Sequence, residues 1–207
     1  MKVPIFIITL RLPAVNKAAH SDRLRKRVLV GLTLLGCLFV FRPLFAELTE
    51  FQRLSQQSAG YVRQGDWNRA RPLLDKQAEL QPYNENVLFH LSLALMYQRT
   101  ENADEYRQGL LRARTLLEKC VEMHTNVDPD SVALSRRWFY LGLVQRYLGQ
   151  PRQALHAFRK SFAVDPTFRA ALYNEYILQL ESGHLREAES IQARYNRLFV
   201  RPGTPAQ

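Results

Sequence analysis

The sequence predicts an all-α fold: a solenoid of about four helix-turn-helix repeats, preceded by an N-terminal transmembrane helix. Three observations lead there. Between residues 138 and 162, Trp138, Leu141, Val144 and Leu148, then Ala154, Leu155, Phe158 and Phe162, recur every three or four residues, which puts each set on one face of a helix. The same layout returns 34 residues later, with Leu172, Gly183, Ala188 and Pro202 as landmarks, and occurs upstream through Tyr61, Gly65, Asp66, Trp67, Ala70, Leu74 and Pro82. Near the N-terminus, the basic stretch RLRKR abuts the uncharged apolar run VLVGLTLLGCLFVF.

The elements follow in chain order. Residues 1–27 read as a basic cytoplasmic segment. Residues 28–46, a span of 19 with Arg42 snorkelling to an interface, are just long enough to cross a bilayer as a signal anchor. Lys17, Arg23, Arg25, Lys26 and Arg27 hold the N-terminal side in the cytoplasm, which places the repeats on the far side, the periplasm or outer face in a bacterium. A signal peptide cleaved after Ala46, a lipoprotein site at Cys37 and a mitochondrial presequence are the alternatives. Each fits less well, because the basic region is long, LFVF is a poor start for a mature lipoprotein, and the segment lacks a Ser-rich amphipathic pattern.

The repeat domain spans 47–202, divided as 51–84, 85–134, 135–168 and 169–202, with 203–207 as a flexible tail. In the third unit, Gly149 suits the left-handed conformation after a helix end and Pro151 suits the first turn of the next helix. Gly142 and Ala154 allow close approach of the two helices, and Asp165-Pro166 ends the pair. The second unit is irregular at 50 residues: NVLFHLSLALMY is its first helix, QRTENAD a longer loop, and EYRQGLLRARTLLEKCVEMH a lengthened second helix. Such an insertion is a candidate recognition feature. In the last helix, Ile191, Tyr195, Leu198 and Phe199 form a stripe with no helix after it, so a partner, a second copy acting through this helix, or the membrane is expected to cover it.

Charge and chemistry narrow the function. The formal net charge is +10, but residues 1–46 hold eight Lys or Arg against one acid, and residues 47–207 hold 21 against 18. A nucleic-acid binder carries its basic patch on the folded domain, so nucleic acid is not an expected partner. Two cysteines, Cys37 and Cys120, imply no disulfide framework. Cys120 and His124 stand four apart on one helix but lack further ligands, and read as a packed thiol and a helix-end imidazole. His90, His156 and His184 stand singly, and the carboxylate pairs Glu47/Glu50 and Asp128/Asp130 fall at a membrane edge and a turn. No phosphate loop, nucleophile elbow or metalloprotease motif occurs, so no catalytic residue, cofactor or metal is expected and the protein is read as a non-enzyme.

The landmarks Trp138, Leu141, Gly142, Ala154, Phe158 and Pro166 resemble the tetratricopeptide repeat, W-x2-L-G-x2-Y then A-x3-F then P, with Gln145 where the family has Tyr. The resemblance covers roughly residues 51–202 and implies a concave groove lined by the first helix of each repeat. Carried over position by position, it implies groove residues Ser55 and Ala59, Phe89 and Leu93, Phe139 and Leu143, and Tyr173 and Ile177, with Asn86, Arg136 and Arg146 at flanking positions. The Lys and Asn clamp of the chaperone-binding members is absent. The implied partner is a protein segment, helical or extended, with apolar anchors. The expected function is a membrane-anchored scaffold or adaptor, an assembly or biogenesis factor of the cell envelope, with a permanent structural subunit of a membrane complex as the alternative.

Overall fold

The computed structural model describes residues 48–200. The basic segment, the expected transmembrane span at 28–46 and the 203–207 tail lie outside the described residues. None of the described helices is long and apolar enough to cross a membrane.

The described chain is helical throughout. Helix α1 runs over 48–64, followed by α2 (Trp67–Leu80), α3 (Glu85–Tyr97), α4 (Ala103–Thr125), α5 (Val132–Tyr147), α6 (Pro151–Val164), α7 (Arg169–Glu181) and α8 (Leu185–Phe199). Consecutive helices pack on one another in antiparallel hairpins, and α3 also touches α5. Odd-numbered helices are therefore the first helices of the units, and even-numbered ones the second.

Local chemistry explains the punctuation. Gly65, Gly149 and Gly183 end α1, α5 and α7 at φ values of 68°, 70° and 75°, a region open to glycine but costly for other residues. Pro151 opens α6 at its first turn, where its missing N–H leaves no intrahelical bond unmade. Asn84, Asn102 and Ser131 cap α3, α4 and α5 through their side-chain oxygens, and Asp104 and Glu105 add negative charge at the positive end of α4.

The α5–α6 hairpin closes where the sequence puts its small residues. A Cβ on Gly142 would lie 2.6 Å from Phe158 Cε1, and Phe158 is fully buried. Ser135 Oγ donates to the Ser161 carbonyl at 2.9 Å across the same seam. The irregular second unit has α4 at 23 residues, against 14 in both α2 and α6, and joins α3 to α4 through a short non-helical stretch at 98–102.

One expectation about the end of the array is corrected. Ile191, Tyr195 and Phe199 of α8 face inward and pack on the cluster of Phe139, Phe158, Phe162 and Leu172, while Leu198 alone of that stripe is exposed. The outward face of α8 carries Arg186, Glu189, Gln192, Asn196 and Arg197, all exposed, the polar outer surface that a terminal repeat requires. The array itself thus covers part of the stripe that was expected to need a partner, a second copy or the membrane.

Candidate partner-binding face

The first helices α3, α5 and α7 each present a stripe at four- and three-residue steps, in the order four-three-four on α3 and α5 and four-four-three on α7. On α3 it runs Asn86, His90, Leu93, Tyr97; on α5, Arg136, Tyr140, Leu143, Tyr147; on α7, Arg169, Tyr173, Ile177, Leu180. Residues so spaced share a helix face. Neighbouring first helices are tied together by a Phe89–Tyr140 ring contact at 5.6 Å and by an Arg146–Glu181 ion pair.

The residues implied by the resemblance divide into a floor and a rim. Phe89 and Phe139 are each only 9% exposed, and Leu93 is also buried. The Arg137 guanidinium sits 4.4 Å from the centre of the Phe89 ring, and Phe139 is enclosed by Tyr140, Phe158 and Phe168 with centroids 5.0–5.8 Å away. These rings pack helix on helix. Leu143, Arg146 and Ile177 are half-buried, whereas Asn86, Arg136 and Tyr173 are exposed. On α1, Ser55 and Ala59 line a cavity of about 400 Å³ shared with Phe51, Asn86 and His90.

On α3 and α5 the most accessible aromatic groups are ones the sequence reading passed over. Tyr97 is 41% exposed and Tyr147 51%, beside Tyr173 at 50%. Tyr97 and Tyr147 are the last residues of α3 and α5, an equivalence visible in the sequence once the helix ends are aligned. Tyr97 stacks on Trp67 at 5.8 Å, and its phenol is pushed up to about 12, first by burial and then by the neighbouring hydroxyls of Tyr140, Tyr147 and Tyr106. Tyr106, in the first turn of α4, donates its hydroxyl to the Met96 carbonyl at 3.3 Å. Tyr97, Tyr106, Arg99 and Glu101 line a further cleft of about 610 Å³ beside the 98–102 stretch.

Beneath this face lies a polar cluster. Glu85, the first residue of α3, accepts from Arg137 Nε at 2.5 Å and faces His124 Nδ1 at 3.4 Å. Arg137, nearly buried, also donates to the Ala133 carbonyl at 3.1 Å and to Asn86 Oδ1 at 3.5 Å. Cys120 is fully buried, donates to the Glu85 carbonyl at 3.6 Å, and has its thiol pushed up to about 12, by burial above all. His124 thus belongs to an interhelical cluster as well as to the last turn of α4. Among the described residues no group of three or more His, Cys, Asp or Glu could hold a metal ion.

No protein-family model matches the chain, and no curated protein matches it either. Solved structures do. The chain is similar to MamA, residues 41 to the end, from Desulfovibrio magneticus RS-1, with TM-score 0.61, 17% identity and coverage of 90% of this chain and 99% of that one. It is similar to TTC0263, a thermophilic tetratricopeptide-repeat protein of Thermus thermophilus, with TM-score 0.56, 22% identity and coverage of 89% and 93%. It is also similar to the first tetratricopeptide-repeat domain of Spaghetti (RPAP3) bound to the HSP90 peptide SRMEEVD, with TM-score 0.51, 12% identity and coverage of 65% and 94%. The fold is that of tetratricopeptide-repeat proteins.

Proposed function

We propose that the protein is a scaffold or adaptor that binds a segment of a partner protein on the face of its first helices, held at the inner membrane by residues 28–46 with the repeats facing the periplasm. The observation that carries the reading is the set of half-exposed tyrosines on the first helices, Tyr97 and Tyr147 at the ends of α3 and α5 and Tyr173 in the second turn of α7, beside positions already filled by Phe89, Leu93 and Phe139. Large rings held on rigid helices cost little side-chain entropy when a partner covers them, which is why aromatic residues dominate binding energy at interfaces. That a similar domain was solved with a peptide bound supports a segment as the occupant. Within this class the reading is an assembly or biogenesis factor of the envelope, which releases its client; a permanent subunit of a membrane complex is the alternative. The anchor acts by concentrating the binding face at the membrane.

The test is purification of the full chain from membranes in mild detergent, with its co-purifying proteins identified and quantified, beside a Tyr147→Ala/Tyr173→Ala variant. Partners lost from the variant support the reading; partners retained in full sink it. A fixed ratio identifies a subunit, and substoichiometric, varied clients an assembly factor. Protease added outside spheroplasts should digest the repeats, and protection of the repeats would overturn the proposed orientation.

A further inference from the structure

We propose that the cavity between α1 and α3 is a socket for one aromatic side chain, phenylalanine or tyrosine, carried by the partner segment. This inference rests on the partner-binding reading above and specifies the partner's chemistry.

The repeat itself shows what is missing there. The fifth positions of the first three units are Ser55, Phe89 and Phe139. Phe89 is held by two side chains of α5, the Arg137 guanidinium 4.4 Å from the ring centre and Tyr140 at 5.6 Å between centroids. Phe139 is held by Phe158 of α6 and by Phe168, the N-cap of α7, with centroids 5.8 and 5.0 Å away. The same four places in the repeat surround the cavity of about 400 Å³ beside Ser55. Val87 and His90 stand where Arg137 and Tyr140 stand one unit later, and Leu74 and Asn84 are the first unit's counterparts of Phe158 and Phe168. All four line the cavity. The positions that grip a phenyl ring in the second and third units are thus assembled in the first, where a serine stands in place of the ring and the close packing of the other units is left incomplete. Asn86 and His90, at the start of the α3 stripe, also border the cavity, so it opens on the face of the first helices.

The polar groups of the cavity are matched to one another. Ser55 Oγ donates to Gln77 Oε1 at 3.1 Å, and Gln77 Nε2 donates to Ser58 Oγ at 2.8 Å and to the Leu54 carbonyl at 3.3 Å. Asn84 is engaged in its own turn, accepting from the Val87 N–H and donating to Gln81 Oε1. Those pairs leave mostly apolar surface for a guest, from Phe51, Val62, Leu74 and Val87, and covering such surface is favourable in proportion to the area withdrawn from water. An aromatic side chain brings a large apolar area with few rotatable bonds to immobilise. His90 accommodates a hydroxyl as well. Its Nδ1 lies 2.8 Å from the Asn86 carbonyl, which only accepts, so Nδ1 carries the proton and Nε2 is the acceptor that a tyrosine hydroxyl needs.

The experiment uses the full chain in mild detergent and a Gly-Ser-X-Ser-Gly peptide in which X is para-fluorophenylalanine, with binding read from the fluorine NMR line. The line should broaden, and unlabelled versions with Phe or Tyr at X should displace the probe, while Leu and Ala versions should need about tenfold or more higher concentration. Ser55→Phe and Ala59→Leu fill the cavity from within and should each weaken binding by about tenfold or more. Ser55→Ala removes the hydroxyl that reaches Gln77 but leaves the cavity open, and should bind as the parent does, which separates occupancy of the cavity from loss of a hydrogen bond. Partners co-purified from membranes should be lost from Ser55→Phe and Ala59→Leu and kept by Ser55→Ala. An unbroadened line, or equal displacement by the Leu peptide, overturns the inference. Partners that survive both filling variants but are lost from Tyr147→Ala/Tyr173→Ala overturn it too, and leave the partner-binding face intact. If neither the filling variants nor the tyrosine variants alter what co-purifies, both readings fall.

Discussion

The α3–α4 and α5–α6 hairpins are successive units of one array that differ in what meets their glycines and in the polar links added to their apolar cores. Each has a glycine at its closest helix approach. In α5–α6, a Cβ on Gly142 would strike the fully buried Phe158 ring; in α3–α4, a Cβ on Gly109 would lie 2.6 Å from Gln98 Nε2, the end of a flexible side chain. Around these contacts both hairpins bury apolar side chains, Phe158 and Phe162 in α5–α6 and Leu91, Leu95, Ala113 and Leu117 in α3–α4, and α3–α4 is bound to its neighbours by further polar links. Arg137 reaches Glu85 across 52 positions, Arg112 pairs with Asp75 at 2.6 Å, and Lys119 donates to the Pro82 carbonyl at 2.8 Å. A unit that departs from the repeat length thus adds specific long-range partners to an apolar core of its own.

The comparison is broken most severely at Arg137. Arg137→Met leaves Glu85 largely buried with His124 as its remaining charged neighbour, and stability in denaturant should fall by about 3 kcal/mol. Replacing both Glu85 and Arg137 by Met should recover much of that loss; a single variant with stability unchanged would show that the cluster does not hold the unit.

The two glycines sharpen the contrast. Gly142→Ala gains about 1 kcal/mol of helix propensity and loses about 1–3 kcal/mol to overpacking against a ring that cannot yield, for a net destabilisation of about 1–2 kcal/mol. Gly109→Ala should fall below that, because the Gln98 amide can swing aside. Equal losses measured by denaturant titration would remove the distinction drawn between the hairpins.

The smallest effect is alkaline. Tyr97, Tyr106 and Cys120 lie on α3 and α4, and their folded pKa values are raised, those of Tyr97 and Cys120 to about 12 from ordinary values of 10.0 and 9.0. The folded chain keeps protons that the unfolded chain releases, so their contribution is complete below about pH 9 and is lost as pH rises from there towards 12. Denaturation midpoints should decline over that window, and less steeply in Cys120→Ala. A flat profile to pH 11 would contradict the burial of these groups.

The same contrast explains what could be read from the sequence. The α5–α6 turn is written locally: Gly149 at positive φ, Pro151 at the start of the next helix, and Gly142 set against Phe158 are short-range facts that periodicity and turn chemistry expose. The helical-hairpin fold follows from repetition of that pattern. The Glu85–Arg137–His124 cluster is not local, and no spacing rule joins residues 39 to 52 positions apart. The binding face was legible as a set of helix positions but not in its exposure. Phe89 is covered by Arg137 and Tyr140, and Phe139 by Phe158 and Phe168, neighbours known only after packing. Tyr97 and Tyr147 escaped notice because each lies at the end of its helix, beyond the central positions on which the resemblance concentrated. The stripe on α8 was readable as apolar, but its direction towards the Phe139 cluster depends on the crossing of α7 and α8.

The central claim is that a partner segment lies on the exposed tyrosines of the first helices. Photoreactive benzoylphenylalanine placed singly at positions 147, 173, 101 and 198 of the full chain, irradiated in native membranes, tests it most directly. The account predicts adducts to a common partner from positions 147 and 173 and none from position 198 on the outward side of α8. Adducts confined to position 101 beside α4 or to position 198 would contradict it.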